Sequence, residues 1–235
     1  MVDRGFAVSR ERAQALIIAG RVLVNEQKVE KPGRAVDSDV TIRLLGDDLR
    51  YVSRGGLKLQ RALEYWQIAV TGKSCLDVGA STGGFTDCLL QHGAAKVLAI
   101  DTGYGQIDMK LRNDPRVTLR EKTNARYLKP GEMARPIDLV VMDVSFISAT
   151  LVLPAVVEAS ETRSVVVLVK PQFEVGREHV GKGGIVRDAE AQTAAVEKVA
   201  SCLAELRFEV REPIESPILG AEGNREFLLY GTRKD

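Results

Sequence analysis

Apolar and polar positions alternate with two different periods along most of this chain. From Lys73 onward, short apolar runs are separated by stretches of helical spacing, an order typical of a parallel sheet with crossover helices. Strands are predicted over residues 74–78, 96–101, 117–119, 139–143 and 164–169. A long amphipathic helix is predicted over 189–206, followed by an antiparallel pair, 208–214 with 226–230. The expected fold class is α/β, a Rossmann-like doubly wound sheet with helices on both faces.

The first 45 residues follow a shorter pattern. Ser9 as N-cap, apolar residues at helical spacing and Gly20 as stop predict one short helix. Two β-prone runs flank a polar turn at 25–27, and a further strand is predicted over 40–45. This pattern indicates a small N-terminal α/β module. We place it at residues 1–46, with a linker and the start of the catalytic domain at 47–58 and that domain at 59–235.

Composition excludes several classes of protein. With 235 residues, 45% of them hydrophobic, the chain can bury a full core, so a disordered or fibrous protein is excluded. Lys and Arg number 33 against 32 Asp and Glu, which neither indicates nor forbids a nucleic-acid partner. The three cysteines have no zinc spacing. Because no leader and no membrane-length apolar run are present, we expect a cytoplasmic protein without a membrane partner.

A turn of small residues follows the first strand of the predicted sheet. Only small residues let a backbone approach a ligand closely, and the turn leads into a helix N-terminus that favours anionic groups. The pattern is neither the dinucleotide nor the triphosphate loop, and resembles the first motif of S-adenosylmethionine (SAM) dependent methyltransferases. The alternative is a glycine-rich turn with a capping aspartate. The predicted cofactor-binding residues of this loop are Asp77, Gly79, Ala80, Ser81, Thr82, Gly83, Gly84 and Phe85.

Two further residues are predicted to contact the cofactor. Asp101 ends the next strand, where its carboxylate can accept hydrogen bonds from both ribose hydroxyls of an adenosyl group. Its alternative is a helix-capping role. Asn124 follows the third strand, and it can equally be a turn residue bonded to its own backbone. The region 103–106 is a weaker candidate.

Four charged residues form the candidate catalytic set. Asp143 and Lys170 each end a predicted strand, at the edge of the sheet where ligands bind in this architecture, so their side chains are expected to meet. Glu226 lies at the last predicted strand, and Lys58 lies upstream of the first. The alternative is a solvated network of ion pairs at the sheet edge.

In order and context, these four residues match the Lys-Asp-Lys-Glu tetrad of the FtsJ-like RNA 2′-O-methyltransferases. The chain resembles the TlyA (hemolysin A) family almost end to end, in the runs that begin at Val52, Leu76, Asp143, Lys170 and Gly223. The resemblance implies methylation of a ribose 2′-hydroxyl in ribosomal RNA, cytidine in particular, with SAM as cofactor and no metal.

The same resemblance implies a role for each member of the set. A ribose hydroxyl is a weak nucleophile that must be oriented and relieved of its proton. Lys170 would steer or accept that proton, and Lys58 would position the ribose. Asp143 and Glu226 would hold the lysines, and Asp143 would also contact the cofactor. In-line geometry of hydroxyl oxygen, methyl and sulfonium would contribute much of the remaining acceleration.

The N-terminal segment resembles the RNA-binding module shared by ribosomal protein S-four and several RNA-modifying enzymes. Basic side chains of this kind neutralise phosphates without reading bases. The predicted partner is ribosomal RNA in ribosomal subunits, with no obligate protein partner implied. A solvated helix face is the alternative, and part of the module's usual first helix is expected to be missing. The predicted RNA-binding residues are Arg10, Arg12, Arg21, Lys28, Lys31 and, beyond the module, Arg54.

The sequence also leaves two competing functions and the role of one loop open. A membrane-active hemolysin would need an amphipathic or apolar membrane element, which no predicted helix resembles. A non-catalytic RNA-binding assembly factor would not need the intact tetrad. The glycine-rich basic loop 181–188 is either an RNA-contacting lid or a plain surface loop. His92 and His179 have no recognisable partner and are assigned no chemistry.

Overall fold

The computed structural model describes residues 1–7, 10–37, 39–45, 50–133, 137–220 and 223–233, without the side chain of Arg12. The chain divides into two compact units, Met1–Arg50 and Tyr51–Asp235. The predicted cap Ser9 and residues 46–49, where the module is predicted to end and the linker to begin, lie outside the described residues. The functional division at residues 46 and 58 stays a prediction.

The first unit contains one helix and a three-stranded antiparallel sheet. Its elements are α1 (Arg10–Ile18), β1 (Val22–Val24), β2 (Gln27–Val29) and β3 (Ile42–Leu44), with strand order β2-β1-β3. The hairpin turn consists of Asn25 and Glu26, whose φ angles of 48° and 62° suit the right-handed twist of a two-residue hairpin. Gln27, predicted in the turn, is therefore the first residue of β2.

The second unit begins with a helix and continues as alternating strands and helices. Its helices are α2 (Gly55–Tyr65), α3 (Gly84–Gln91), α4 (Met109–Arg112), α5 (Leu153–Ser160), α6 (Pro171–Glu174) and α7 (Ala189–Glu205). Its strands are β4 (Ser74–Val78), β5 (Lys96–Ile100), β6 (Val117–Arg120), β7 (Leu139–Met142), β8 (Ser164–Val169), β9 (Glu209–Val210), β10 (Ile214–Glu215) and β11 (Phe227–Thr232). Short 3₁₀ turns lie at Ala125–Tyr127, Ala149–Leu151 and Arg177–His179.

The strands form a sheet in the order β10-β11-β8-β7-β4-β5-β6, with β9 also paired to β11. Strands β4 to β8 are parallel, and β11 is antiparallel to β8. The chain moves outward from β4 to β6 and then returns to the other side of β4 as β7. This reversal creates a crevice beyond the carboxyl ends of β4 and β7, the usual ligand site of such sheets.

Two hydrophobic layers cover the faces of this sheet. One contains side chains of α2 and α3, such as Leu59 and Leu89, and the other contains side chains of α5 and α7, such as Leu153 and Leu203. The central strands β7 and β8 are buried on both faces, which explains their nearly continuous apolar sequences. The predicted fold class is confirmed.

One predicted strand is divided in the structure, whereas the bounds of the other predicted strands of the two sheets shift by at most two residues. Residues 208–214 do not form a single strand but give the two short strands β9 and β10, both paired with β11. Pro213 lies between them and has no N–H to donate to a ladder, so pairing stops at the intervening residues. Among the described residues, no helix has both the length and the apolar composition needed to cross a membrane.

Candidate active site

The strand ends that carry the predicted site lie side by side at one edge of the large sheet. Val78 of β4 pairs with Met142 of β7, so Gly79 and Asp143 follow neighbouring strand ends. Val169 of β8 pairs with Phe227 of β11, which places Lys170 beside Glu226. Because β11 runs antiparallel, its first residues lie at the edge where β8 ends. Residues distant in sequence therefore meet at the crevice.

The four predicted catalytic residues form two ion pairs. Lys170 Nζ lies 2.6 Å from Asp143 Oδ1 and donates a hydrogen bond to Ser145 Oγ at 2.7 Å. Lys58 Nζ, on α2, donates to Glu226 Oε2 at 2.5 Å, and both of these residues are buried. Each lysine is thus held by one carboxylate. Burial distinguishes the Lys58–Glu226 pair from the exposed ion pairs that solvent screens.

The glycine loop after β4 approaches the end of β7 too closely for any side chain. Gly79 has a φ of +85°, and a Cβ there would lie 2.3 Å from the carbonyl oxygen of Asp143. Gly83, with a φ of +96°, precedes the first turn of α3. The backbone between them is free to line the crevice, and the N–H groups at the start of α3 favour an anionic group.

Asp77 lies beneath this loop and is fully buried. Its Oδ2 accepts a hydrogen bond from Thr86 Oγ1 at 2.6 Å, whereas its Oδ1 has no partner among the described residues. Burial raises the pKa of the Asp77 carboxyl from 3.8 to about 7, because a charged carboxylate loses its hydration there. Asp77 therefore supports the glycine loop from below, where it is not exposed to either cavity.

A cleft of about 550 Å³ opens at the switch point of the sheet. This volume lies within the range of small-molecule sites, roughly 300–1,000 Å³. Of the predicted cofactor-binding residues, the cleft is lined by Gly79, Ser81, Asp101, Asn124 and Asp143, together with part of the region 103–106. The glycine loop, whose Gly79 has no room for a Cβ, and the Asp101 carboxylate at the wall of the cleft fit SAM.

The two outlying cofactor candidates differ in how their side chains are used. Asp101 accepts backbone N–H groups from Ser81 at 2.8 Å and from Gly103 at 2.7 Å, one on each oxygen. Each oxygen keeps a second lone pair for a ribose hydroxyl. The Oδ1 of Asn124 accepts from the backbone N–H of Arg126, so this residue caps its own turn while lining the cleft.

A second cavity, of about 240 Å³, adjoins the cleft and shares Gly79, Ser81 and Asp143 with it. Lys58 and Arg54 line this cavity, with four further predicted loop residues: Ala80, Thr82, Gly84 and Phe85. Phe85 is otherwise part of the hydrophobic core. Asp77 and Gly83 line neither cavity. Asp143 is therefore the member of the predicted catalytic set that lines both the cofactor cleft and the pocket of Lys58.

Three residues beside the predicted set were not singled out from the sequence. Ser145 accepts a hydrogen bond from Lys170, and Glu174 is a buried carboxylate at the end of α6. Phe146 is 91% exposed, has a φ of +64° and contacts the ring of Phe173 with centroids 5.3 Å apart. All of them belong to the motif runs that begin at Asp143 and Lys170, so the signal was in the sequence.

The basic residues of the first unit are used in different ways. Arg10 and Lys31 are exposed. Arg21 Nε donates to the carbonyl oxygen of Leu45 at 2.8 Å, and Lys28 pairs with Glu30 at 3.2 Å. Arg21 thus also stabilises the small sheet, while Arg10 and Lys31 present their charge to solvent. The side chain of Arg12 is not among those described.

The chemistry of this edge narrows the class of protein. Oxidoreductases and triphosphatases of doubly wound fold carry a dinucleotide or a triphosphate loop at the switch point, and this chain has neither after β4. A glycine turn over a buried acid, an acid after the next strand and a held lysine beside the cleft define a SAM-dependent methyltransferase.

Comparison with known proteins gives the family. Residues 51–233 match the FtsJ-like methyltransferase family, and residues 1–42 match the S4 domain. The chain belongs to the FtsJ-like methyltransferases and, among them, to the TlyA (hemolysin A) family, whose methyl donor is SAM.

Three relatives illustrate the similarity. The "16S/23S rRNA (cytidine-2'-O)-methyltransferase TlyA" of Mycobacterium tuberculosis is 48% identical, over 98% of this chain and 87% of that protein. "Hemolysin A" of Brachyspira hyodysenteriae is 42% identical, over 97% of this chain and 95% of its own length. A solved structure named "Putative hemolysin from Streptococcus thermophilus" is 42% identical with a TM-score of 0.80, over 99% of this chain and 86% of the other.

Proposed function

We propose that this chain transfers the methyl group of SAM to a ribose 2′-hydroxyl of ribosomal RNA, with cytidine as the target nucleoside. The observation that carries the proposal is the Lys170–Asp143 pair at 2.6 Å, in which Asp143 lines both cavities. The name of the Mycobacterium tuberculosis relative supports both the ribose and the cytidine.

Bound SAM supplies a methyl group activated by a positively charged sulfonium. Lys170 Nζ has three donor positions, of which two face Asp143 and Ser145, so one remains for the target hydroxyl oxygen. Because all three Nζ hydrogens are then used as donors, Lys170 would steer the hydroxyl proton and not accept it. As the methyl group moved from the sulfonium sulfur to the hydroxyl oxygen, the proton would pass to the Asp143 carboxylate. Glu226 holds the Lys58 ammonium in a fixed position at the second cavity, where Lys58 orients the ribose.

Phe146 extends the proposal to the target nucleotide. An aromatic ring that is 91% exposed beside Asp143 offers a stacking surface for a base turned toward the site. Replacement of Phe146 by Ala is expected to raise the KM for RNA more than it lowers kcat. A variant with an unchanged KM would remove this residue from the proposal.

The substrate is proposed to be RNA within ribosomal subunits in the cytoplasm. The S4 domain match and the exposed Arg10 and Lys31 support a structured RNA, because such charges contact phosphates along a folded strand. The proposed RNA-binding set also contains Arg12, Arg21, Lys28 and, at the second cavity, Arg54.

Methyl transfer from tritiated SAM to purified ribosomal subunits tests the proposal. Lys170→Met and Asp143→Asn are expected to lower kcat by about 10²- to 10⁴-fold, the usual contribution of a positioned acid–base group. Lys96→Met, which changes an exposed lysine at the opposite edge of the sheet, is the matched control and should retain full activity.

The chemical position of the label separates ribose from base methylation. A 2′-O-methyl group blocks alkaline cleavage of the adjacent phosphodiester, so the label is expected in alkali-resistant dinucleotides. Label recovered in mononucleotides would mean base methylation. Lysis of erythrocytes at equal strength by wild type and Lys170→Met, without methyl transfer by either, would instead support a membrane-active protein.

A further inference from the structure

The segments that follow β7 and β8 run side by side and are linked at three levels. At the first level, Lys170 contacts Asp143 and Ser145. At the second, the rings of Phe146 and Phe173 are in contact. At the third level, which lies farthest from Lys170 along both segments, Glu174 of one segment is bonded to Ser148 and Ala149 of the other.

Glu174 uses both of its carboxylate oxygens to hold the segment after β7. Its Oε1 accepts from the backbone N–H of Ala149 at 2.6 Å, and its Oε2 accepts from Ser148 Oγ at 2.5 Å. The side chain of Glu174 is only 2% exposed. Lys198 of α7 supports it from the other side, with Nζ 2.7 Å from the carbonyl oxygen and 3.4 Å from Oε2 of Glu174.

The segment held in this way needs such a restraint. Phe146 has a φ of +64°, a left-handed conformation that is unfavourable for an aromatic residue without outside support. Residues 143–147 also form one wall of the cofactor cleft. If the bonds to Ser148 and Ala149 were absent, the segment could relax toward an ordinary conformation. Ser145 would then lose its position against Lys170.

We propose that Glu174 is a positioning residue for methyl transfer, which acts by holding residues 145–149 so that Ser145 meets Lys170 Nζ. This inference rests on the proposed role of Lys170. Charge-assisted hydrogen bonds in a buried site suit the task, because they are short, directional and little screened by water. A glutamate at the end of α6 thus joins the two strand ends that carry Asp143 and Lys170.

Turnover at saturating SAM and RNA tests the inference. Glu174→Ala is expected to lower kcat by about 10-fold or more, whereas Glu174→Gln keeps an acceptor for Ala149 N–H and should recover most of that loss. Leu203→Ala is the matched control, because Leu203 is fully buried in the hydrophobic cluster that also contains Ala149, while its side chain has no polar group that could hold residues 145–149 by hydrogen bonds. It should lower the melting temperature but keep kcat within about twofold.

A double-mutant comparison separates positioning from general stability. If Glu174 acts through Ser145, Glu174→Ala should lower kcat by less than about twofold in a Ser145→Ala background. In a Leu203→Ala background it should retain its full effect. Equal effects in both backgrounds, or a loss no larger than that of Leu203→Ala alone, would overturn the inference. If Lys170→Met retained activity, the proposed function itself would fail, irrespective of Glu174.

Discussion

At the scale of single residues, the site depends on charged groups held out of water. Lys170 and Lys58 are each paired with one carboxylate, and these pairs carry the proposed chemistry. Asp77 is the contrasting case, because one of its oxygens has no partner among the described residues. Burial therefore raises the pKa of Asp77 to about 7, and the ligand-free protein bears the cost of ionising it.

This shift of the Asp77 pKa predicts a specific pH dependence of stability. The folded state binds a proton that the unfolded state has lost, so stability falls as pH rises from about 4 to about 7 and levels off above. The slope for one such proton is at most about 1.4 kcal/mol per pH unit. Asp77→Asn is permanently neutral and should lack this contribution.

Urea unfolding of the ligand-free protein measures the effect. The fluorescence of Trp66, the single tryptophan, reports the second unit. The free energy of unfolding of wild type relative to Asp77→Asn is expected to decrease between pH 5 and pH 7. Parallel profiles of the two proteins would contradict the raised pKa.

At the scale of elements, the close approach of two strand ends shapes the cleft. The turn after β4 can pass the end of β7 only because Gly79 has no Cβ. The turn itself was predictable, because runs of small residues after an apolar strand have few other uses. That this turn would lie against the end of β7 was not predictable, because strand order depends on pairing between β4 and β7, which are about 60 residues apart in sequence.

Gly79→Ala tests this close approach. The added methyl group would lie 2.3 Å from Asp143 O and would also strain a φ of +85°, so SAM affinity is expected to fall by at least about 10-fold. Gly72→Ala is the matched control, because Gly72 has a φ of +75° but open space around it. Isothermal titration with SAM distinguishes them, and equal affinities would show that the approach is unimportant for the cofactor.

At the scale of the whole molecule, binding and chemistry are assigned to two compact units. The first unit carries exposed cations on a small α/β scaffold, and the second carries the cleft and the ion pairs. The net charge of +1 gave no indication of an RNA partner. The placement of charge within each unit gives that indication, because phosphate binding depends on local cations and not on the net charge of the chain.

Removal of positive charge from the first unit should weaken RNA binding without changing the affinity for SAM. The double variant Arg10→Gln and Lys31→Gln is expected to lower RNA affinity and to reduce the slope of log K against log salt by up to about 2. Lys73→Gln with Lys96→Gln removes the same charge at the opposite edge of the large sheet and serves as control. Filter binding at several salt concentrations measures both, and identical slopes would refute the RNA-contact role.

The sequence by itself determined the order and type of the elements. Strands β4 and β8 have the predicted bounds, because long apolar runs between polar turns leave little choice of structure. Pro213, by contrast, divides a run that resembled one strand, and pattern alone did not show where pairing would stop.

The sequence placed Asp143 and Lys170 at strand ends that were expected to bring them together, and tertiary structure decided the other partners. The pairing of Lys170 with Asp143, of Lys58 with Glu226 and of Glu174 with Ser148 follows from strand order and helix packing, not from sequence spacing. Local pattern reports which face of an element is buried, whereas these contacts join residues 26 to 168 positions apart. Because such long-range contacts form only when the whole sheet is assembled, the pairing of Lys58 with Glu226 and the contacts of Glu174 were decided by the fold.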